Sequence, residues 1–443
     1  MAFALSLLSL ALLLSVHYTK AAALLPLEHR TIQLIPVPVT AFQAPSADVV
    51  TDNFVPLTKL SSTSSSPSTL EAVRKGLSPS DLNRFSEDPP ANGSAPLVSI
   101  HGVAYLINIT FGTQDVQLTL DTGSSDTWLI RNGFKCTDPY GRSRSTGSCR
   151  FGPVYNGNIT QIPNENLQTL YGDGSFVIGV VGTQDITIAG IKVQNQTLST
   201  LAYWNGDGVS SGILGLAYPA MTSIFSGVDP SKDNSGNRVP YDPIFTTMYK
   251  RSLSAPTFSL AIQRDSSGVG GYVAFGGLPA AVTTNGSFAS TPIQILTSLR
   301  PTANTFYTIT PDALVYRGAA ARNPSQYIVD SGSSLTYVPT DVAKSVADLF
   351  SPKATFDDSQ GAYFVSCNAT APSFGVKIGG TIFNLDPQDL ILQLQQNPTT
   401  GECLLGVTDG GRGPYTLGVT FLNNVIAVFD VGAAQMRFAA HSY

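Results

Sequence analysis

Residues 121–130 read DTGSSDTWLI, and residues 330–339 read DSGSSLTYVP. Each opens with an acid, a hydroxyl residue, glycine and two serines, and each carries an aromatic seven residues after the acid, Trp128 and Tyr337. Taken singly, such a stretch reads as an ordinary Asx turn in a chain rich in Gly, Ser and Thr. Written twice, it needs another explanation. An apolar strand-like run leads into each acid: Leu118-Thr119-Leu120 before Asp121, and Tyr327-Ile328-Val329 before Asp330. Farther on lies a short run closed by leucine and glycine. Ile213-Leu214-Gly215 ends 94 residues past the first acid, and Thr416-Leu417-Gly418 ends 88 past the second. Two elements at matched spacing, each present twice, predict two similar β lobes with one carboxylate each, on a loop at the end of an apolar strand.

The rest of the chain agrees with a mainly β body. Val103–Phe111, Val116–Leu120, Asp185–Ile188, Phe258–Ile262, Tyr272–Phe275, Phe306–Ile309 and Val425–Phe429 are β-rich runs separated by Gly, Asn, Asp and Pro turns. Helical patterns are few, and Val342–Phe350 is the best of them. Charged residues make up 12% of the 443, about half the usual ~25%. The net charge is −5 and no Lys/Arg cluster stands out, which excludes a nucleic-acid role.

Ahead of this body the chain changes character. Residues 3–16, FALSLLSLALLLSV, form an apolar run of signal-peptide length, with Ala21-Ala22-Ala23 as a cleavage site, although no positive charge precedes it. The competing reading, a membrane anchor, is disfavoured because 14 apolar residues are short for a span of about 20. Residues 1–23 are therefore expected to direct secretion, and no membrane anchor is expected elsewhere. Residues 24–95, with SSTSSSPST at 61–69 and EDPPANGSAP at 87–96, read as a flexible Pro/Ser-rich prosegment. The lobes would then span 96–277, with Asp121, and 278–443, with Asp330.

Four cysteines suit an oxidising compartment and permit three pairings. The sequential one, Cys136–Cys149 and Cys367–Cys403, keeps each bridge local. Six sequons, at Asn92, Asn108, Asn158, Asn195, Asn285 and Asn368, are glycosylation candidates, of which only some are expected to be used.

If the lobes face one another, Asp121 and Asp330 meet in the cleft. Two carboxylates ~3 Å apart cannot both ionise, so they share a proton and titrate as a pair. One member then serves as base and the other as acid. A water between them can lose a proton and attack a carbonyl, with no covalent intermediate. Gly123 and Gly332 let backbone approach the carboxylates. Ser124 and Ser333 can hydrogen-bond the outer oxygens, and Thr122 and Ser331 can reach the opposite lobe. Other chemistries lack their residues. Of four histidines, His17 and His29 fall in the leader and prosegment, leaving His101 and His441, which form no zinc pair and offer little to a Ser-His-Asp triad. No P-loop lysine follows the glycine-rich stretches. No metal or cofactor is expected.

These motifs, together with YGDGS at 171–175, GILGLAY at 212–218 and YTLGVTFLNNVIAVFD at 415–430, resemble the pepsin-like aspartic proteases over residues 97 to 443. YGDGS looks most like secreted fungal members. The resemblance implies a bilobal fold and a monomeric secreted endopeptidase. It would act on polypeptides at acidic pH, prefer hydrophobic residues around the cut bond, and be blocked by pepstatin-type inhibitors. It places Tyr171 at the tip of a β-hairpin flap with its hydroxyl on the indole of Trp128, and gives the amides of Gly172 and Asp173 to the substrate backbone. Asp173 would also tolerate Lys or Arg in the substrate. The alternative is a catalytically inactive binding or inhibitor protein on the same fold. Such proteins usually lack an acid, a catalytic glycine or the flap tyrosine, all of which are present here.

Three places depart from the family pattern. Gly418 is followed by Val419 where many relatives have Asp, and the first Leu-Gly run is preceded by Ser211-Gly212 in place of Asp-Gly. Relatives often carry a basic prosegment that is released by acid. Residues 24–95 hold five Lys/Arg against seven Asp/Glu, leaving Lys59 or Lys75 to reach the dyad in a zymogen.

Overall fold

Both acid-bearing loops grow from the same three-strand arrangement. In the computed structural model the described residues are 49–57, 105–137, 142–149, 151–171, 176–203, 210–262, 270–282, 287–299, 302–321, 325–358, 360–397 and 399–441. In the first lobe, strand Gln114–Asp121 pairs in parallel with Gly212–Gly215, Gly215 standing opposite Asp121. Gly212–Gly215 pairs on its other side, antiparallel, with Thr127–Ile130, so that Ile213 faces Trp128. In the second, Tyr327–Val329 runs parallel to Tyr415–Leu417, which meets Tyr337 antiparallel through Thr416. The doubled motif is thus a doubled topology. Central strands buried on both faces read as continuous apolar runs, and Thr127–Ile130 and Tyr327–Val329 are buried at every position.

Among the described residues the first lobe is built on an eight-stranded sheet, whose long hairpin Thr160–Leu170 and Phe176–Ile188 pairs antiparallel from Leu170 opposite Phe176 downward. The second lobe uses smaller sheets, of five, four and four strands. Beneath both lies a six-stranded sheet in the order Ala289–Pro292, Gln435–Ala440, Val425–Asp430, Thr257–Ile262, Gly271–Phe275, Phe54–Leu57. Its inner face carries Phe258 stacked on Phe429 at 4.3 Å, with Phe245 and Tyr307 set edge-on to Phe258. Offset and edge-on aromatic pairs of this kind add to the stabilisation from burial. Two disulfides, Cys136–Cys149 and Cys367–Cys403, close local loops.

One stretch departs from the flexible reading of 24–95. Val50–Thr51 pairs with Leu278–Pro279, and Phe54–Leu57 pairs with Gly271–Ala274 at the edge of the six-stranded sheet. Pro56 lacks a backbone N–H and fits an edge strand for that reason. Leu57 is fully buried and Val55 nearly so, each worth about 1.5–3 kcal/mol of apolar burial. The Ser/Thr-rich run that follows at 61–69 hides this four-residue strand. The leader at 1–23, the remainder of 24–95, Lys59, Lys75, His101, Asn92 and Asn285 lie outside the described residues. Among the described residues, no helix is long and apolar enough to cross a membrane, and no group of His, Cys, Asp and Glu could hold a metal ion. The helix expected at Val342–Phe350 is Thr340–Ala347, started by Pro339.

Candidate active site

The two acid-bearing loops are locked to each other by reciprocal hydrogen bonds. Thr122 Oγ1 donates to Val329 O at 3.0 Å and accepts from Ser331 N at 2.9 Å. Ser331 Oγ donates to Leu120 O at 2.8 Å and accepts from Thr122 N at 3.1 Å. Both hydroxyls are fully buried. Each therefore satisfies a donor and an acceptor of the opposite loop that would otherwise lie unpaired out of water. Threonine and serine serve equally well, because only the hydroxyl is used.

This lock sets the carboxyls face to face. Gly123 N donates to Asp121 Oδ1 at 2.7 Å, and Gly332 N to Asp330 Oδ1 at 2.8 Å. Ser124 Oγ donates to Asp121 Oδ2, and Ser333 Oγ to Asp330 Oδ2 at 2.6 Å. The glycines are required by space. A Cβ on Gly123 would collide with the Asp330 carboxyl, and one on Gly332 with Asp121 Oδ1. Asp121 is 6% exposed. Burial, and then the charge of its hydrogen-bond neighbour Asp330, push the Asp121 carboxyl up from 3.8 to about 8, against the pull of Ser124 and Gly123. The pair accordingly keeps a proton through the acid range.

Behind the loops, Leu216 N donates to Asp121 O, and Asp330 N donates to Leu417 O. Val419, which stands where the resemblance leads one to look for Asp, is fully buried and donates its N–H to Ser333 O at 2.8 Å. Ser211, in the other departing position, is also fully buried and donates to Pro153 O.

Tyr171 follows the hairpin strand Thr160–Leu170 directly, and its hydroxyl accepts from Trp128 Nε1 at 2.6 Å. Trp128 packs edge-on to Phe151 in a small apolar cluster that Tyr171 borders. Burial holds the Tyr171 hydroxyl well above its ordinary range, with Asp126 and Asp121 adding to the effect, so it is a neutral hydrogen-bonding group at every working pH. Gly172 and Asp173 lie outside the described residues. Of the sequon asparagines, Asn158, Asn195 and Asn368 are exposed, while Asn108 is half-buried on strand Leu106–Phe111.

Two groups near the site carry no clear signal in the sequence. Tyr307 spans the lobes, donating its hydroxyl to Leu216 O at 2.7 Å and packing its ring on Tyr218. Asp126 lies inside the first motif as if it were a surface turn residue, yet it is 3% exposed. Burial pushes its carboxyl up to about 6, opposed by the Ser223 N–H, Tyr241 and Arg238.

The sequence and the fold both have known relatives. The model of the family described as eukaryotic aspartyl protease matches residues 104–441. A probable aspartic-type endopeptidase of Aspergillus fumigatus is 42% identical over 421 residues, 90% of each chain. Pepsin A of Rhinolophus ferrumequinum is 29% identical over 358 residues, covering 78% of this chain and 83% of its own. The crystal structure of an aspartic proteinase from Irpex lacteus shares the fold, with a TM-score of 0.61 at 20% identity, over 79% of this chain and 98% of the other. With its fold matched, its sequence aligned nearly end to end and its two carboxyls set against each other, the chain belongs to the eukaryotic aspartyl proteases.

Proposed function

We propose that the protein is a secreted endopeptidase that hydrolyses polypeptides at acidic pH, with Asp121 and Asp330 as its catalytic pair. The observation that carries this reading is the mutual fit of the two loops, each glycine making room for the other loop's carboxyl. With one proton shared, the ionised carboxyl takes a proton from a water. The water oxygen attacks the scissile carbonyl carbon, and the protonated carboxyl gives its proton to the carbonyl oxygen. The tetrahedral diol then collapses. The now-protonated carboxyl gives its proton to the leaving nitrogen while the other takes one from a diol hydroxyl, the C–N bond breaks, and the pair is left with one proton. Ser124 and Ser333 hold the outer oxygens, and Thr122 with Ser331 keeps the loops in register.

Tyr171 belongs in this reading to a flap that closes over an extended substrate and excludes water, with the amides of Gly172 and Asp173 holding the peptide backbone. Hydrophobic side chains flank the cut bond, and Asp173 lets Lys or Arg be tolerated nearby. The enzyme acts as a monomer without metal or cofactor and is blocked by pepstatin-type inhibitors. Residues 1–23 direct secretion, and residues 24–95 are a prosegment removed on maturation. Exposed Asn158, Asn195 and Asn368 are the better glycan acceptors.

Hydrolysis of denatured globin at pH 3–5, abolished by pepstatin and by Asp121→Asn or Asp330→Asn, is the expected result. Full activity in either variant would end the mechanism. A folded native protein without activity would favour a binding protein on this fold. N-terminal sequencing of the secreted product locates the mature start, and a start before residue 40 would remove the proposed boundary.

A further inference from the structure

Asp126 takes no part in the chemistry above, yet it is buried five residues beyond Asp121. Both of its oxygens accept the N–H of Ser223, at 3.1 and 3.0 Å, and Oδ1 also accepts the Tyr241 hydroxyl at 3.0 Å. A buried carboxylate is costly unless its partners compensate, and an apolar side chain would fill the space without that cost. Its three contacts all lead away from the loop.

Ser223 leads to the hairpin. Its carbonyl accepts the N–H of Gln168 at 3.1 Å, and the next residue, Ile224, pairs in register with Leu167. Both partners belong to Thr160–Leu170, the strand that runs into Tyr171. Arg238 holds the same turn from another side, donating to Thr222 O at 2.6 Å and Ala220 O at 2.7 Å. Tyr241 borders the same small cluster as Trp128 and Tyr171. The ionisable groups that act on Asp126 or Tyr241 are Arg238, Tyr241 and Tyr171.

We propose that Asp126 is a positioning residue that ties the root of the Tyr171 hairpin to the loop carrying Asp121. One carboxyl fixes the turn Ala220–Ser223 against the catalytic loop, and that turn fixes strand Thr160–Leu170. The root of the hairpin is thereby held in register with the dyad. This rests on the reading of Tyr171 as part of a flap over the substrate.

Loosening the root weakens the hold on substrate without disturbing the acid–base pair, so the effect falls on KM. Asp126→Ala is expected to raise KM for a peptide substrate at pH 4 about tenfold, with kcat within about threefold of native. Amide hydrogen exchange should accelerate in residues 160–170 and stay native in 425–430. Asp126→Asn keeps an acceptor for both donors and should restore KM to within about threefold, whereas Tyr241→Phe, which removes one donor, should raise it about threefold. Native KM in Asp126→Ala, exchange accelerated evenly over the chain, or a fall in kcat at native KM would overturn the proposal. If Asp126→Ala does not accumulate folded, Tyr241→Phe decides. Native KM and native exchange in that variant reject the tie. Exchange is read without substrate, so a native chain that cut no peptide would count against the proposed function and leave the tie measurable.

Discussion

Asp126 also makes a quantitative prediction about stability and pH. Its carboxyl stays neutral in the fold up to about pH 6, whereas the unfolded chain releases the same proton above 3.8. The folded state thus holds more protons between these values, and stability falls as pH rises from about 4 through 6. The rise from 3.8 to about 6 corresponds to about 3 kcal/mol, present in full at low pH and lost near neutrality. That is a large fraction of the 5–15 kcal/mol typical of a folded protein. The perturbation is Asp126→Asn, which removes the titration and keeps the shape. Asp121, pushed up to about 8, adds a loss in the same direction, but it does so in both proteins and cancels in the difference. Urea unfolding followed by circular dichroism at pH 4 and pH 7 measures the effect, with Asp330→Asn in both chains to prevent self-digestion. The chain with Asp126 should lose about 2 kcal/mol more than its Asn partner between the two pH values, the rest of the effect lying below pH 4. Equal losses would refute the assignment of a buried, neutral Asp126.

Three further outcomes follow from contacts described above. Thr122→Ala leaves the Ser331 N–H and the Val329 carbonyl unpaired in the interior. It should cost about 2–4 kcal/mol in urea unfolding, and Thr122→Ser should recover nearly all of it, since the second loop already uses serine. Gly332→Ala drives a methyl into Asp121 Oδ1; kcat/KM should fall about hundredfold, the usual consequence of a 1 Å misplacement, and activity above half of native would show that the loops are farther apart. Leu57→Ala, tested in the full-length chain with Asp330→Asn, should lower stability by about 2–5 kcal/mol. An unchanged unfolding midpoint would remove Phe54–Leu57 from the sheet.

The two-lobe plan and the residues around the dyad were legible because they are written in short runs and written twice. Leu118-Thr119-Leu120 and Tyr327-Ile328-Val329 mark strands by composition alone, and the paired glycines mark where backbone meets carboxyl. Other features depend on contacts between distant parts of the chain. Nothing near Phe54–Leu57 announces a strand, because its partner, Gly271–Phe275, lies more than 200 residues away. Asp126 reads as a turn residue until Ser223 and Tyr241 close over it. The long strands Thr160–Leu170 and Phe176–Ile188 carry Asn, Gln, Thr and Gly in place of clean alternation, so the only mark of the hairpin in the sequence is YGDGS between them.

The pairing pattern also sets when a newly made chain can become dangerous. Both aspartates have been synthesised by residue 330, but the strand that positions the second one, Tyr415–Leu417, is made 85 residues later. The middle of the shared sheet, Val425–Asp430, comes later still. Lobes that fold in order of synthesis would leave Asp121 on a finished loop with no partner held against it. A chain that ends between residues 330 and 415 therefore carries both aspartates but lacks the strand that sets the second against the first.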